Sequence, residues 1–323
     1  MRSITFSSCG DSSVLQIVES KTAEPTADQA LVKVALAGVN FIDVYHRRGQ
    51  YPLSLPSGIG LEGIGEIVSL GKASGDFKVG DRVFWTSALG SYAQFVNVSI
   101  DQLTLIDSKI TQSDEQLLPL LLQGMTAHYL VNSSYAVTDN DFVLVTAAAG
   151  GVGQILVQLI KEKGATVIAC ASSSARAQYA KNLGADYVGT YDQITSLVNE
   201  VTKDQGVDVV YDSVGKDYFD VCLASLKDNG MYVLCGAASG QVPLLDLGRL
   251  SSKSLAIRRP TLGAYTKTHA DRLSRLNNLV YLIQAGKLRY PPAKIFALDE
   301  VISAHDLIES RTYSGKIAIA PWI

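Results

Sequence analysis

Asp141-Phe-Val-Leu-Val-Thr-Ala-Ala-Ala-Gly-Gly-Val-Gly153 is the stretch that decides the fold. A run of apolar, partly β-branched residues, Phe142 to Val145, ends in small residues and three glycines. The helical pattern Gln154-Ile-Leu-Val-Gln-Leu-Ile-Lys-Glu-Lys163 follows. That order predicts a strand, a tight turn and a helix. Such a turn aims backbone N–H groups and a helix N-terminus at one point, which suits a pyrophosphate. The motif is an imperfect G-x-G-x-x-G: Ala148, Ala149, Gly150, Gly151, Val152 and Gly153, with alanine at the first glycine position. A glycine-rich loop alone also fits an ordinary strand-to-helix turn. Here the next candidate strand, Ala165 to Ala171, arrives after a helix-length gap. The unit has the length of a β-α-β crossover, and the expected ligand is a dinucleotide.

Downstream the alternation is regular. Candidate strands are Phe142 to Thr146, Ala165 to Ala171, Ala185 to Tyr191, Val207 to Val214, Met231 to Gly236 and Ser254 to Arg259. Helical segments fall between most of them: Val152 to Lys163, Ala175 to Leu183, Ile194 to Thr202 and Lys216 to Leu226. Six strands with intervening helices predict an α/β fold with a parallel, doubly wound, six-stranded sheet. Ligands of such sheets bind outside the carboxyl ends of the strands. Three further strand ends should therefore join the glycine loop: Ser172 to Ser174, Asp212 to Gly215, and Gly236 to Gly240.

Residues 1 to about 115 are instead strand-rich, with glycine and proline punctuation. Ser13 to Glu19, Gln29 to Ala37, Gly58 to Leu70, Gly80 to Thr86 and Ser91 to Val98 read as strands. Short strands so bounded suggest a β-barrel-like domain. Asp114 to Val131 reads as a helical bridge with Ser113 as N-cap, and Pro119 predicts a kink or two helices. The tail is helical from Thr268 to Gly286, then a strand, Lys294 to Ala297. A helix capped by Asp299 and a last strand, Gly315 to Ala320, complete it. The tail is too short for a domain of its own and is expected to pack back on the first. The expected domains are 1–122, 123–262 and a returning segment, 263–323.

Composition bounds the function. A chain of 323 residues, 47% hydrophobic and 18% charged, has room for two globular domains. The opening MRSITFSSCGD has no apolar core of signal-peptide length, and no apolar run approaches the roughly 20 residues of a membrane span. Cys9, Cys170, Cys222 and Cys235 are scattered without C-x-x-C spacing, as in a reducing, cytoplasmic compartment. A net charge of −3 makes no electrostatic case for nucleic acid.

Five stretches carry a resemblance. Gly38-Val-Asn-Phe-Ile-Asp-Val-Tyr45, Leu55-Pro-Ser-Gly58, Gly80-Asp-Arg-Val83, Ala147-Ala-Ala-Gly-Gly-Val-Gly153 and Tyr211-Asp-Ser-Val-Gly215 resemble the zinc-independent, zeta-crystallin-like quinone oxidoreductases of the medium-chain dehydrogenase/reductase superfamily. The resemblance implies a GroES-like catalytic domain, a Rossmann domain, NADPH as hydride donor, a small quinone or related carbonyl substrate and a homodimer. Zinc-dependent relatives place Cys near position 40 and Gly-His-Glu around 60 to 62. This chain has Asn40 and Gly60-Leu61-Glu62. Leucine cannot ligate zinc, and a catalytic site needs three N, O or S protein ligands, so no metal is expected. His46, His128, His269 and His305 have no ligand spacing and read as surface or core histidines.

The resemblance also carries site residues. Asn40 and Tyr45 match positions at the nicotinamide end, where an amide and a phenol could hold a carbonyl oxygen. Their alternative is a turn asparagine and a core-edge tyrosine. Thr126 matches a position near the nicotinamide, against the alternative of a hydroxyl bonding its own helix. Gly150, Gly151, Val152 and Gly153 should hold the pyrophosphate. Ser213, Gly215, Gly236 and Ser239 should contact the cofactor from neighbouring strand ends, while Ala237 and Ala238 replace the Asn-Ser usual in relatives. Lys316 stands where relatives carry a phosphate-reaching base; as a lone surface lysine it could equally be solvated. NAD-preferring domains carry an acidic residue about 20 positions past the loop. Ser172 stands there, followed by Ser173 and Arg176, with Tyr191 closing the next strand. Hydroxyls and a guanidinium suit a 2′-phosphate, against the alternative of a helix-capping serine run with a solvated arginine. The expected activity is NADPH-dependent quinone reduction. Reduction of an activated C=C bond in enals or enones uses the same hydride geometry. A cofactor-bound RNA-binding or crystallin-type role is the reading from another class.

Overall fold

Alternating short strands build the amino-terminal part, because β-branched residues at every second position can share one buried face. The computed structural model describes residues 1–323. Its first elements are β1 (Arg2–Phe6), β2 (Gln16–Glu19), β3 (Gln29–Val39), α1 (Phe41–Arg47), β4 (Ser57–Gly58), β5 (Glu62–Leu70), β6 (Arg82–Trp85), β7 (Phe95–Ser99), β8 (Thr104–Leu105) and α2 (Asp114–Leu117). Several of these differ from the sequence expectation: Gly58 to Leu70 is split into β4 and β5, and β8 was not expected. Only the second half of Ser13 to Glu19 is a strand; the Asp11 carboxylate accepts the Ser13 N–H and caps a 3₁₀ turn over Ser12–Val14. β1 was not expected. Nor was α1, a seven-residue helix inside the Gly38 to Tyr45 motif, whose start is fixed by the Asp43 carboxylate accepting the Asn40 backbone N–H at 2.8 Å. At seven residues α1 is too short for periodicity to reveal.

Next come α3 (Leu122–Tyr129), β9 (Phe142–Val145), α4 (Gly151–Glu162), β10 (Thr166–Ala171), α5 (Ser174–Asn182), β11 (Tyr187–Thr190), α6 (Ile194–Thr202), β12 (Val207–Asp212), α7 (Phe219–Ala224), β13 (Leu226–Leu234), α8 (Gly248–Ser251), β14 (Ala256–Arg258) and α9 (Leu262–Tyr265). Pro119 sits in a 3₁₀ turn, Leu118–Leu120, which separates α2 from α3 as its missing N–H requires. The chain closes with α10 (His269–Gln284), β15 (Lys294–Ala297), α11 (Val301–Ser310) and β16 (Ile317–Ala320). Asp299 does not cap α11. It lies inside a 3₁₀ turn, Leu298–Glu300, and the Glu300 carboxylate accepts the Ala297 N–H at 2.8 Å. The Asp299 carboxylate is instead paired with the Arg2 guanidinium.

The chain forms two units. One holds Met1–Leu122, Thr266–Val280 and Tyr290–Ile323; the other holds Gln123–Tyr265 and Tyr281–Arg289. In the first, strands run in the order β15-β16-β3-β5-β6-β8, with β7 also on β3 and a separate sheet β2-β1-β4. β16, from the end of the chain, pairs antiparallel with β3, Ile317 opposite Val39 and Ala318 opposite Gly38. β5 pairs on the other side, Glu62 opposite Gly38. The core of this unit includes Phe6, Val32, Ile59, Trp85 and Tyr92 with Leu298 and Ile319.

The second unit is a parallel six-stranded sheet in the order β11-β10-β9-β12-β13-β14. Strand order reverses between β9 and β12, the place where such sheets bind ligands. Helix α4 buries Ile155, Leu156, Val157 and Ile160, so burial rather than propensity holds it. Its approach to the sheet requires glycine. A Cβ on Gly153 would lie 2.2 Å from the Ala147 carbonyl oxygen and 2.8 Å from the Ala148 Cα. Gly153→Ala should therefore lower unfolding free energy by about 1–3 kcal/mol, as overpacking does. Gly263→Ala, where a Cβ meets nothing within 4 Å, should stay within about 0.5 kcal/mol. Urea unfolding of both variants checks the contrast, and equal losses would contradict it.

Candidate active site

In the second unit the glycine turn follows β9. Ala147 takes a left-handed φ of 49°, which costs an L-residue about 1 kcal/mol. The positive-φ position is therefore Ala147, one residue before the alanine that stands for the first motif glycine. Two hydrogen bonds hold the turn there. The Gly150 N–H donates to the Ala147 carbonyl at 2.7 Å, and the Ala147 N–H donates to the Tyr191 hydroxyl. Gly150 is the extended N-cap of α4. A Cβ on Gly151 would meet the Gln123 side chain. The first-turn backbone N–H groups of α4 have no partner within the helix, the feature by which a helix N-terminus can serve an anion.

Arg176 and Tyr191 are both attached to this turn. The Arg176 Nη2 donates to the Ala149 carbonyl at 3.0 Å. Its Nη1 is buried with no hydrogen-bond partner. Burial pushes the Tyr191 phenol up to about 12, so it is neutral at ordinary pH, and its ring lies 4.3 Å from that of Tyr218. Ser172 and Ser173 are exposed beside them; Ser173 caps α5 by accepting the Arg176 N–H at 3.4 Å. The capping reading of this serine thus holds, and the arginine is half-buried rather than solvated.

The ends of β12 and β13 are tied to β9 by Asp212. Its buried carboxylate accepts the Thr146 hydroxyl at 2.5 Å, the Val214 N–H at 2.8 Å, the Gly215 N–H at 3.1 Å and the Tyr232 hydroxyl at 2.5 Å. Gly215 has φ 86°. A Cβ on Gly236 would lie 2.6 Å from the Ser213 carbonyl oxygen. The Ser239 hydroxyl donates to the Val214 carbonyl and accepts the Asp217 N–H. Ser213 shares a hydrogen bond with the Cys235 thiol at 3.3 Å. Ser213, Gly215, Gly236 and Ser239 are therefore gathered in one interlocked pair of loops. Thr126 is buried on α3 and Val152 is half-buried on α4.

In the first unit the structure corrects the two sequence expectations for Asn40 and Lys316. Lys316 is neither on the surface nor reaching out to a phosphate. It is fully buried, its ammonium paired with the Glu62 carboxylate and donating to the Asn40 Oδ1 at 2.8 Å. The Asn40 Nδ2 donates to Glu62 Oε2 at 2.9 Å and to the Gly38 carbonyl at 3.3 Å. Both amide hydrogens are committed, so the amide has none for a substrate carbonyl. Tyr45 is half-buried on α1, its ring edge-on to Tyr51 at 5.3 Å.

Asp43, one turn into α1, is wholly buried and accepts the Tyr92 hydroxyl at 2.9 Å. Burial pushes its carboxyl up to about 7, against the pull of the Asn40 N–H, the Tyr92 hydroxyl and the Lys316 charge. His305 accepts from Arg47 at 3.0 Å, and burial, with Arg47 beside it, holds its pKa down at about 3. Sequence reasoning gave no role to Glu62, Asp43 or Tyr92, and placed Asp212 only within a strand end. The one available signal was a carboxylate closing an apolar strand, as Asp212 closes Val207–Tyr211.

Two family models match the chain: an alcohol dehydrogenase GroES-like domain over residues 26–108 and a zinc-binding dehydrogenase over residues 151–277. The residues do not fit the zinc of that second description. Asn40 and Glu62, at or beside the ligand positions of zinc-dependent relatives, are bridged by an ammonium, and Leu61 offers no donor. No group of three or more His, Cys, Asp or Glu side chains could hold a metal ion. The chain is 38% identical over 317 residues to a probable quinone oxidoreductase of Schizosaccharomyces pombe, covering 98% of this chain and 96% of that one. It is 35% identical to a 2-haloacrylate reductase of Burkholderia, covering 94% of each. The solved quinone oxidoreductase of Escherichia coli, complexed with NADPH, superposes with a TM-score of 0.94 at 35% identity, covering 99% of this chain and 100% of that one. The chain thus belongs to the quinone oxidoreductase family of the medium-chain dehydrogenase/reductase superfamily.

Proposed function

We propose that this chain is an NADPH-dependent, metal-independent quinone reductase, with the second unit as cofactor domain and the first as catalytic domain. The observation that carries the cofactor reading is Arg176. A guanidinium anchored on the glycine turn with one buried Nη left unpartnered is a donor awaiting an anion. NADPH, when bound, supplies the hydride; the quinone takes up that hydride and a proton and leaves as hydroquinone.

The chain's own residues bind and orient. Gly150, Gly151, Val152 and Gly153 present the α4 N-terminus to the pyrophosphate. Arg176, with Ser172 and Ser173, meets the 2′-phosphate, and Tyr191 packs beside it. Ser213, Gly215, Gly236 and Ser239 line the ribose side through the loops that Asp212 holds, and Thr126 faces the nicotinamide. Tyr45 holds the substrate oxygen, with the proton drawn from it or from water. Reduction of an activated C=C bond is a second reading, supported by the 35% identity to a 2-haloacrylate reductase. No basic stripe supports the RNA-binding reading.

A homodimer through the second unit is part of the same proposal. β14 ends the six-stranded sheet, and an unpaired edge tends to be covered. In the segment that precedes β14, Leu244 is 103% exposed and Leu247 73%, apolar surface that a partner copy would cover. No helix is long and apolar enough to cross a membrane, and the four cysteines are free thiols, which suits the cytoplasm.

Arg176→Ala should raise the KM for NADPH roughly ten- to a hundredfold, the scale of a lost charged hydrogen bond, and leave that for NADH nearly unchanged. Steady-state rates with both cofactors check this, and an equal effect on the two would reject it. Dialysis against a chelator should leave the rate on 1,4-benzoquinone unchanged; stoichiometric zinc lost together with activity would refute metal independence. Light scattering at micromolar concentration should give twice the chain mass, and a monomeric mass would rule out the dimer.

A further inference from the structure

We infer that Glu62 and Lys316 are positioning residues for Asn40, and that they leave Asn40 able to meet a ligand only as a hydrogen-bond acceptor. The inference rests on the proposed reductase and on Asn40 standing at its nicotinamide end, where the family resemblance puts it.

Strand register creates the cluster. Ile317 lies opposite Val39 on β3, so Lys316, one residue before β16, comes beside Asn40. Glu62, first residue of β5, lies opposite Gly38 on the other side of β3. The three side chains converge over Gly38, which must lack a side chain. A Cβ there would lie 2.0 Å from Glu62 Oε2 and 2.8 Å from Lys316 Cε. Both charged groups are wholly buried. The second Glu62 oxygen accepts the Leu122 N–H at 2.7 Å, so the carboxylate is held at both ends.

A buried ion pair is a poor device for stability, because apolar residues of the same volume often serve as well. What the pair does impose is the orientation of the Asn40 amide. The ammonium requires oxygen on its side, and the carboxylate requires N–H on the other. A flipped amide would set N–H against the ammonium and oxygen against the carboxylate, so charge decides the assignment. An amide has two hydrogens and two lone pairs. Glu62 and Gly38 take both hydrogens, and Lys316 takes one lone pair. The remaining capacity is the second lone pair of Oδ1, on an oxygen polarised by the neighbouring ammonium. The matching ligand group is a hydroxyl or an amide N–H, not a quinone carbonyl.

The test compares Lys316→Met, Glu62→Gln and the double variant, alone and in an Asn40→Ala background. Readouts are thermal midpoint, NADPH dissociation constant by fluorescence, and kcat/KM on 1,4-benzoquinone. Each single variant leaves one buried partner unpaired and should lose roughly 5–15 °C in Tm, most of it regained in the double. Catalytic efficiency should fall roughly 10- to 100-fold in the double variant despite that recovery. The double substitution should cost nothing further when Asn40 is already alanine. Should a single variant not fold, the double and the Asn40→Ala background carry the test. A matching rise in the NADPH dissociation constant assigns the donor to the cofactor; an unchanged constant with a raised KM for 1,4-benzoquinone, which has no donor to offer, would contradict an acceptor-only Asn40 and overturn the inference. Efficiency that returns with Tm in the double variant would mean a purely structural pair and overturn the inference. A wild-type chain that binds NADPH but reduces no quinone would instead overturn the proposed reaction, and the NADPH dissociation constants would still decide the positioning role.

Discussion

A carboxylate taken out of water has to be met by donors on both oxygens, and each unit is tied together by one such group. In the second unit it is Asp212, whose four donors come from the end of β9, from its own loop and from β13. The loops that carry Ser213, Gly215, Gly236 and Ser239 have their conformations because those donors must converge. In the first unit it is Glu62, which gathers the ammonium of Lys316, the amide of Asn40 and the Leu122 N–H. Segments far apart in the chain, near residues 40, 62, 122 and 316, are brought to one point by that need.

The two cations weighed for phosphate contact end in opposite states, and the difference is chemical. Lys316 carries a compact point charge that a single carboxylate and one amide oxygen can satisfy inside the protein. Arg176 carries a planar fork with five donors, and one carbonyl on the glycine turn satisfies only part of it. The first is consumed in holding a neighbour. The second retains capacity for an anion, and it does so beside the N-terminus of α4, where backbone N–H groups add to the same field.

Legibility in the sequence followed the length of each signal. The Rossmann unit was readable because each strand, turn and helix repeats a period, and burial on both faces makes its strands continuous apolar runs. Cys170 on β10 and Tyr211 on β12 fit those runs without disturbing them. α1 was not readable, since seven residues with a single cap give two turns and no period. Asp299 was misassigned because its carboxylate is drawn to Arg2, at the other end of the chain. Lys316 was misread because its burial depends on β16 returning to pair with β3, a contact between residues almost 280 positions apart.

The sequence by itself determined the two-part architecture, the glycine turn and the presence of Ser172, with Arg176 close behind it, where an acidic residue would select against a 2′-phosphate. These are local facts, written in periodicity and in which residue types a turn tolerates. Tertiary structure decided the rest: that Asn40 is held by charge with both N–H groups spent, that burial pushes the Asp43 carboxyl up, and that Arg176 is anchored with a donor to spare. The reason is that hydrogen-bond satisfaction and desolvation depend on which distant groups fold against a side chain. No window of neighbouring residues contains that information.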